Sequence, residues 1–259
     1  MTHTFFKYQG TGNDFVFIDN RLEIFNKNNT KLIAHLCDRR FGIGADGLIL
    51  LENDVETDFK MVYFNADGNQ STMCGNGGRC IVAFAEMLNI INKKTIFNAI
   101  DGLHKATIEN GFVKLKMKDV EVVEVCQNHI FLNTGSPHHV TLVENIKDFD
   151  VKTEGSKIRY GAPYINEGVN VNFVEQINNN VFTVRTYERG VEDETLSCGT
   201  GVTAVALAMH KTGKTNAEIV NLNVQGGELK VSFNTTGSAY KNIWLQGPAT
   251  LVFKGEIEC

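Results

Sequence analysis

Two stretches of the sequence decide the fold: Met73-Cys74-Gly75-Asn76-Gly77-Gly78-Arg79 and Leu196-Ser197-Cys198-Gly199-Thr200-Gly201. In each stretch a cysteine stands directly before a glycine-rich turn, and apolar residues at helical spacing follow it. The second cysteine follows the first by 124 positions, close to half of the 259-residue chain. The pattern predicts a cysteine at the start of a helix in each half of the sequence.

Other segments repeat at almost the same spacing. At an offset of 123 residues, a turn before an apolar run occurs twice, and so does an aromatic residue ahead of a strand. The matching positions are Thr11–Asn13 with Thr134–Ser136, Phe41 with Tyr164, and Gly47 with Asn170; the two turns precede the apolar runs Phe15–Ile18 and Val140–Val143. These matches predict two copies of one unit. We expect a first domain over residues 1–120, completed by a strand within 243–259, and a second domain over residues 121–242.

Short runs of alternating or apolar residues dominate the chain, for example Leu48–Leu51 and Lys60–Phe64. Clusters of Gly, Asn and Asp separate these runs, which is typical of strands joined by turns. Helical periodicity occurs in three segments: Lys31–Arg39, Gly77–Leu88 and Gly201–His210. The predicted fold class is α+β, or mixed α/β. We expect two pseudo-symmetric domains, each a strand-rich sheet around a central helix, with the active site in the cleft between them.

Composition excludes several classes of protein. The apolar fraction of 42% is enough for a sizeable core, and the net charge of −5 with scattered Lys and Arg argues against nucleic acid as a partner. We find neither a secretory h-region nor an apolar run of about twenty residues, so we expect a cytoplasmic protein that does not bind membranes. Six cysteines at irregular spacing then indicate reduced thiols.

The two cysteines at the helix starts are the candidates for catalysis. Unpaired N–H groups and the helix dipole favour an anion there, which lowers the pKa of a thiol and can hold a carboxylate. The glycines would keep side chains away from the amides. Across one cleft, the thiolate of Cys74 or Cys198 could remove an α-proton while the other thiol delivers one to the opposite face. This chemistry requires no cofactor. We interpret Cys37, Cys80, Cys126 and Cys259 as structural, and their spacing predicts no metal site.

Several segments together resemble the paired signatures of diaminopimelate epimerases. They are Lys7–Phe15, Asn65–Gly68, Met73–Arg79, Glu188–Gly190 and Glu194–Gly201, and the resemblance extends over nearly the whole chain. It implies conversion of LL-2,6-diaminopimelate to the meso form without pyridoxal phosphate, in lysine and cell-wall biosynthesis. The resemblance is also compatible with a homodimer.

The resemblance also implies which residues bind the substrate: Asn13, Asn65, Gly75, Asn76, Asn170, Glu188, Arg189, Gly199 and Thr200. Arg189 would bind the distal carboxylate together with Asn65 and Asn170. Glu188 would bind the distal ammonium group. In both pairs, the charges of side chain and substrate group are opposite. Backbone amides at the two helix starts would hold the carboxylate of the reacting centre, and Asn13 would line the site.

Two positions depart from the family pattern. Some members carry glutamine at the position of Gly47 and asparagine at that of Ser136, so distal recognition in this chain is open, as is a role for His138. Proline and hydroxyproline racemases share the fold and the cysteine pair. Asn76 and the Glu188-Arg189 pair nevertheless favour the diaminopimelate branch.

Three other interpretations stay open at this stage. Gly42–Gly47 has the letters of a dinucleotide-binding fingerprint, although a helix precedes it and a strand follows, which is the wrong context. A thiol hydrolase would pair one cysteine with His104, His138 or His139. A protein that binds amino acids without chemistry is the third alternative.

Overall fold

The structure is a computed structural model, and it describes residues 2–259. The chain divides into two compact units. The first unit comprises the chain up to Leu115 together with Gly247–Cys259, and the second comprises Lys116–Gln246. The sequence placed these boundaries after residues 120 and 242.

The elements follow one another in a repeating order. The first part of the chain forms β1 (Thr2–Gly10), β2 (Asn13–Asp19), α1 (Thr30–Cys37), β3 (Gly47–Glu52), β4 (Phe59–Asn65), β5 (Gln70–Ser71), α2 (Gly75–Met87), β6 (Lys94–Ala99), β7 (Gly102–Glu109) and β8 (Phe112–Lys116). The second part forms β9 (Val123–Val125), β10 (Ile130–Asn133), β11 (Pro137–Leu142), a 3₁₀ turn (Ile146–Asp148), α3 (Val151–Tyr160), β12 (Asn170–Asn178), β13 (Val181–Glu188), β14 (Asp193–Thr195), α4 (Gly199–Lys211), β15 (Ile219–Val224), β16 (Gly227–Thr236) and β17 (Ala239–Pro248). The last strand, β18 (Thr250–Glu258), belongs to the first unit.

The strands of the two units pair in the same sequence. In the first unit, β18, β1 and β2 are antiparallel, β2 and β3 are parallel, β3 and β4 are antiparallel, and β4 and β6 are parallel. In the second unit, β9, β10 and β11 are antiparallel, β11 and β12 are parallel, β12 and β13 are antiparallel, and β13 and β15 are parallel. Even the register repeats, because Phe15 lies opposite Gly47 and His138 lies opposite Asn170. The predicted fold of two similar units is confirmed.

One helix in each unit is buried by its sheet. Helix α2 packs against β1, β2, β3 and β7, and α4 packs against strands from β9 to β16. Ten residues of each helix are buried, so these helices are enclosed almost all round. Helix α1 instead presents one face, Ile33, Leu36 and Cys37, to a separate cluster of core residues. The central helices predicted from periodicity are therefore the ones that carry the two cysteines.

Helix α3 was not predicted from the sequence. Its residues are mostly polar, and only Val151 and Gly155 are buried. Gly155, which lowers helix propensity, allows close packing, because a Cβ there would lie 2.4 Å from the Cβ of Tyr187. A cap signal was present, since the Asp150 side chain accepts a hydrogen bond from the Thr153 N–H. In the described part of the chain, no helix is long and apolar enough to cross a membrane.

Candidate active site

Cys74 lies at the N-cap of α2, in extended backbone conformation with φ −100° and ψ 150°. Its Sγ accepts a hydrogen bond from the Gly77 backbone N–H over 3.2 Å. A Cβ at Gly77 would lie 3.0 Å from the Ile49 Cδ1 and 3.3 Å from the Cys74 Sγ. This glycine therefore lets the helix start pack on β3 and the sulfur approach the amide. Access of a ligand to the amides stays a prediction.

Asn76 and Asn13, both predicted site residues, are in direct contact. The Asn76 Nδ2 donates to the Asn13 Oδ1 over 3.3 Å, and the Asn13 Nδ2 donates to a carboxylate oxygen of Asp46. Asp46 also pairs with Arg39 over 2.7 Å. Both ends of the Asn13 amide are thus bonded, and its orientation is fixed.

A cluster of charged residues holds the loop of Asp46, the residue that bonds Asn13. Arg39 forms a second ion pair with Asp14 over 2.7 Å, and Asp14 pairs with the buried Lys7 over 2.8 Å. Burial alone would raise the pKa of Asp14, but hydrogen bonds from Arg39 and Lys7 lower it to about 2. Asp14 is therefore ionised at neutral pH, and the loop that holds Asp46 is anchored to β1 and β2.

Cys198 lies at the N-cap of α4, with φ −120° and ψ 111°, and is 6% exposed. Its Sγ is 3.5 Å from the Thr200 Oγ1. The backbone oxygen of Thr200 accepts from the Thr134 hydroxyl over 2.9 Å, and the Thr200 hydroxyl lies 3.4 Å from the Ser136 Oγ. A Cβ at Gly201 would lie 2.4 Å from the Asn172 Oδ1, so this glycine also serves close packing.

The hydrogen bonds around His138 fix its tautomer. The Asn172 Nδ2 donates to the His139 carbonyl over 3.1 Å, and the Asn172 Oδ1 accepts from the Thr186 hydroxyl over 3.0 Å, which together orient the amide. The same Nδ2 lies 3.1 Å from the His138 Nδ1, which must be the acceptor. The His138 Nε2 consequently carries the hydrogen and donates to the Ser136 Oγ over 3.2 Å.

These hydrogen bonds determine which hydroxyl donates and which accepts along the path from His138 to Cys198. Ser136 accepts from the His138 Nε2 and from the Asn170 Nδ2, the latter over 3.1 Å. Its own hydrogen is therefore available to the Thr200 Oγ1, and the Thr200 hydroxyl can donate to the Cys198 Sγ. Burial, and less strongly the Arg189 charge, lower the pKa of His138 to about 3, so the ring is neutral. A donor to the sulfur stabilises its thiolate form.

The predicted residues of the distal subsite are partly brought together. The Arg189 backbone N–H donates to the Asn170 Oδ1 over 2.9 Å, and its Nη1 donates to the Glu167 carbonyl over 2.9 Å. Glu188 precedes Arg189, and its Oε2 accepts from the Thr195 hydroxyl over 2.9 Å. The Asn170 amide is saturated, since its Nδ2 also bonds the main chain. Asn170 thus orients Arg189 and Ser136.

Asn65 is exposed at the end of β4, in the first unit, opposite Gly47 on β3. A Cβ at Gly47 would lie 2.4 Å from the Phe64 carbonyl oxygen. The backbone of this chain therefore accepts no side chain at position 47 without moving. The loop before it joins α1 to β3, the reverse of the strand-to-helix order of a dinucleotide site.

The other histidines of the hydrolase alternative have structural partners. The ring of His139 stacks on His129 with centroids 4.2 Å apart, and its Nδ1 lies 3.2 Å from the Tyr164 hydroxyl. Burial, and then the His129 charge, lower the pKa of His139 to about 4. His104 stacks on Phe97 in the first unit, with centroids 5.2 Å apart. His139 is buried, and His104 is half-buried and lies 3.3 Å from the Asp101 carboxylate, so neither ring is an exposed base.

The fold defines the class of the protein: a two-unit α/β architecture with a buried helix in each unit. It is similar to the structure of a phenazine biosynthesis protein of the PhzF family from Bacillus anthracis, with a TM-score of 0.80 and 13% identity over 100% of both chains. A hydroxyproline epimerase from Agrobacterium vitis has a TM-score of 0.68 and 13% identity, over 99% of this chain and 92% of that one. At such identities the likeness concerns the fold alone.

The sequence comparisons are more specific. The family model for diaminopimelate epimerase matches residues 5–123 and 130–252. A diaminopimelate epimerase from Flavobacterium psychrophilum is 66% identical over 253 residues, 97% of this chain and 99% of the relative. One from Chlorobaculum tepidum is 44% identical over 258 residues, 96% and 98% of the two chains. The chain belongs to the diaminopimelate epimerase family, as the signatures in the sequence predicted.

Some residues that build the two helix starts were not predicted. Asp46, Asn172 and Thr186 lie in ordinary strand and loop positions, and polar residues there usually form turns or face solvent. The 123-residue offset was a usable signal, because it aligns Asn13 with Ser136 and Ile49 with Asn172. Arg79 stands in the quoted signature, but nothing in the sequence alone indicates that it is buried.

Proposed function

We propose that the protein inverts one α-carbon of LL-2,6-diaminopimelate to give meso-diaminopimelate, in the biosynthesis of lysine and peptidoglycan precursors. The observation that carries the proposal is a cysteine at the N-cap of each central helix, each with a hydrogen-bond donor near its sulfur. It occurs in a chain 66% identical to a relative named diaminopimelate epimerase. Equivalent thiols in two copies of one unit suit a reaction whose two proton transfers are mirror images.

In the proposed reaction, the thiolate of one cysteine, Cys74 or Cys198, removes the α-proton. The C–H bond breaks, an S–H bond forms, and the electron pair spreads into the α-carboxylate. The opposite thiol then gives its proton to the other face of the same carbon, so its S–H bond breaks and a new C–H bond forms. The two sulfurs have exchanged protonation states, and the reverse reaction uses them in the opposite roles. The balance needs no cofactor.

Helix N-termini supply the electrostatic part of the proposal. The carboxylate at the reacting carbon would accept hydrogen bonds from backbone amides around Gly75-Asn76 and Gly199-Thr200. These amides belong to the first turns of α2 and α4, where N–H groups have no partner within the helix. The negative charge that develops during proton removal would thus meet donors that are already oriented.

Recognition of the distal amino-acid end is proposed for Arg189 and Glu188. The Arg189 guanidinium keeps donors beyond its single bond to Glu167 and could bind a carboxylate through two of them. Glu188 would bind the ammonium group, and Asn65 would add a further amide to the carboxylate. Asn170 would act by fixing the Arg189 backbone.

Proton NMR of LL-diaminopimelate with the protein in deuterated buffer tests the proposal. We expect the α-proton signal to disappear and the meso isomer to accumulate without any added cofactor. Exchange with L-proline or hydroxyproline, but none with LL-diaminopimelate, would move the chain to a racemase activity that uses the same cysteines. If none of the three substrates exchanges its α-proton, the proposed epimerisation is refuted.

A cytoplasmic location and a homodimer remain predictions from the sequence. A reducing compartment suits the proposed mechanism, since both sulfurs must avoid oxidation to work. Light scattering after size-exclusion chromatography tests the homodimer directly.

A further inference from the structure

Arg79 is completely buried in the first turns of α2. Its Nη1 donates to the Gly75 carbonyl over 3.2 Å, and its Nη2 donates to the Asn76 Oδ1 and the Thr11 Oγ1, each over 3.0 Å. Its Nε donates to the Pro248 carbonyl over 3.4 Å. The guanidinium is thus hydrogen-bonded to the first two residues of the helix, immediately after Cys74.

No acidic side chain balances this charge. All four acceptors are neutral oxygens, and within residues 2–259 Arg79 takes part in no ion pair. Burial lowers the pKa of the guanidinium, and the neighbouring thiols of Cys80 and Cys74 oppose that shift. An arginine nevertheless stays protonated in proteins. A buried cation without a counter-ion is costly, so its retention calls for an anion during function.

The equivalent position of the second unit provides a comparison. Thr203 follows Cys198 by the same five positions that separate Arg79 from Cys74. Its hydroxyl donates to the Gly199 carbonyl over 2.9 Å, just as Arg79 bonds the equivalent carbonyl of Gly75. Thr203 is also completely buried. A neutral hydroxyl therefore suffices to hold such a helix start, and the positive charge at position 79 has another purpose.

We propose that Arg79 is a positioning residue of the epimerisation site, whose buried charge favours the thiolate of Cys74 and whose hydrogen bonds hold the Gly75-Asn76 turn for a carboxylate. The inference rests on the proposed function, because it assigns the missing anion to the base and to the bound substrate. Arg79 touches neither the reacting carbon nor the proton; it acts through Cys74 and the turn.

The other titratable groups around α2 leave this charge unopposed. Burial raises the pKa of Cys80 and of Tyr8 to about 12 each, so both are neutral near pH 8. Glu86 lies near the end of α2, away from Cys74, and His3 near the start of β1. Most charged groups on the strands packed against α2 have a partner: Lys7 pairs with Asp14, Asp19 with Arg21, Glu52 with Lys27, and His104 with Asp101. The others, Lys105 and Glu109 on β7, are exposed.

The pH dependence of thiol alkylation tests the charge without using substrate. We would treat the intact protein with iodoacetamide between pH 5 and pH 10 and quantify the Cys74 peptide by mass spectrometry. In the wild type we expect the midpoint below the value of about 8.5 for an unperturbed thiol. In Arg79→Met we expect it to rise by about one pH unit, which is a roughly tenfold slower reaction near pH 7.

Two further variants separate charge from hydrogen bonding. Arg79→Lys keeps the charge but cannot reach all four acceptors, so the alkylation midpoint should stay low while KM for the substrate rises. Thr203→Val is the matched control, and it should leave the Cys74 midpoint unchanged. A wild-type midpoint at or above that of an unperturbed thiol would overturn the proposal without any variant. A folded Arg79→Met protein with an unshifted midpoint would overturn it equally.

The same data keep the two proposals apart. If the wild type fails to epimerise diaminopimelate but Cys74 shows the low, arginine-dependent midpoint, the proposed substrate is wrong and the electrostatic role stands. If the wild type epimerises and the midpoint does not depend on Arg79, the electrostatic role is wrong and the proposed function stands.

Discussion

The starts of α2 and α4 have the same backbone arrangement, but the residues that pack against them differ in polarity and charge. Each begins with a cysteine at the N-cap, followed by a glycine that packs on a strand. Under α2 the support is apolar and cationic, with Ile49 against Gly77 and the buried Arg79 one turn on. Under α4 the support is polar and neutral, with Asn172 against Gly201 and His138 behind it.

The difference shows how a duplicated unit can serve a reaction that is nearly, but not completely, symmetric. In the proposed reaction the thiols would exchange roles, so both would need donors; an amide N–H lies at Cys74 and a hydroxyl at Cys198. In the proposed reaction one carboxylate lies at the reacting centre, and the one buried cation, Arg79, is bonded to the turn proposed to hold it. The two supports are therefore specialised, although the elements that carry them are alike.

The largest expected effect tests whether the two cysteines are equivalent. Cys74→Ser and Cys198→Ser should each reduce epimerisation by about 10²–10⁴-fold, since each removes one of two proton-transfer groups. Cys126→Ser, at an exposed position, is the control and should retain full activity. Conversion of LL-diaminopimelate followed by NMR measures all three. If one of the two mutants keeps its activity, the chemistry needs a single nucleophile, as a hydrolase does.

A second prediction concerns a substitution that gives α4 the packing residue found at α2. Asn172→Ile places the counterpart residue Ile49 into the second unit and removes the partners of His138, His139 and Thr186. We expect the free energy of unfolding to fall by about 3 kcal/mol, because several buried polar groups lose hydrogen bonds. Denaturation in urea measures the change.

The control for this exchange is Ile49→Val, which only shortens an apolar contact and should cost about 1 kcal/mol. Equal losses in Asn172→Ile and Ile49→Val would mean that the polar network under α4 contributes little to stability.

A third prediction concerns the pH dependence that His138, in the support of α4, gives to the stability of the protein. The folded-state pKa of His138 is about 3, below its unfolded value, so the unfolded chain binds the proton first as the pH falls. Stability is thus fully present above about pH 6.5 and is lost on going toward pH 3. From pH 7 to pH 5, this residue alone should cost about 2 kcal/mol.

His138→Phe introduces the residue type of Phe15, its counterpart in the first unit. The variant should be less stable at pH 7, yet its free energy of unfolding should fall less between pH 7 and pH 5 than that of the wild type. His35→Gln, at an exposed position on α1, should leave the pH dependence as it is. An unchanged pH dependence in His138→Phe would show that His138 is not neutral in the folded protein.

The smallest expected effect concerns the hydroxyl beside Cys198. Thr200→Val removes the donor to the sulfur and the link to Ser136, and should lower kcat about fivefold, the equivalent of one hydrogen bond. Thr200→Ser keeps the hydroxyl and should behave like the wild type. The alkylation midpoint of Cys198 should rise in the valine variant, and that of Cys74 should not. A shift at both sulfurs would indicate a general disturbance of the fold.

The fold was largely predictable because duplication doubled the signal. Periodicity identified α2 and α4, and the cysteine turns identified where they begin, within two residues of Gly75 and Gly199. Helix α3 was not predicted because it packs through only two apolar residues, Val151 and Ile158, together with Gly155. Its hydrophobic content could not distinguish it from a loop.

The site was predictable where residues stand inside a motif, and less so where burial decides their role. The contact between Asn13 and Asn76 joins two predicted residues that are 63 positions apart. The tautomer of His138 depends on Asn172, which lies on the neighbouring strand β12, and on Ser136, just before β11. The placement of Arg79 could not be inferred, because arginine is rarely buried without a partner. Such residues are visible only once tertiary packing is known.

The pairing of β18 with β1 has a consequence for biosynthesis. In the second unit, β10 pairs with β9, which directly precedes it in the chain, whereas β1 pairs with β18, which follows all strands of the second unit. On the ribosome, one edge of β1 therefore stays open until the second unit has emerged, while β10 is paired early. We expect the half of the protein that is synthesised first to be the half that is completed last, and to depend longer on chaperones during translation.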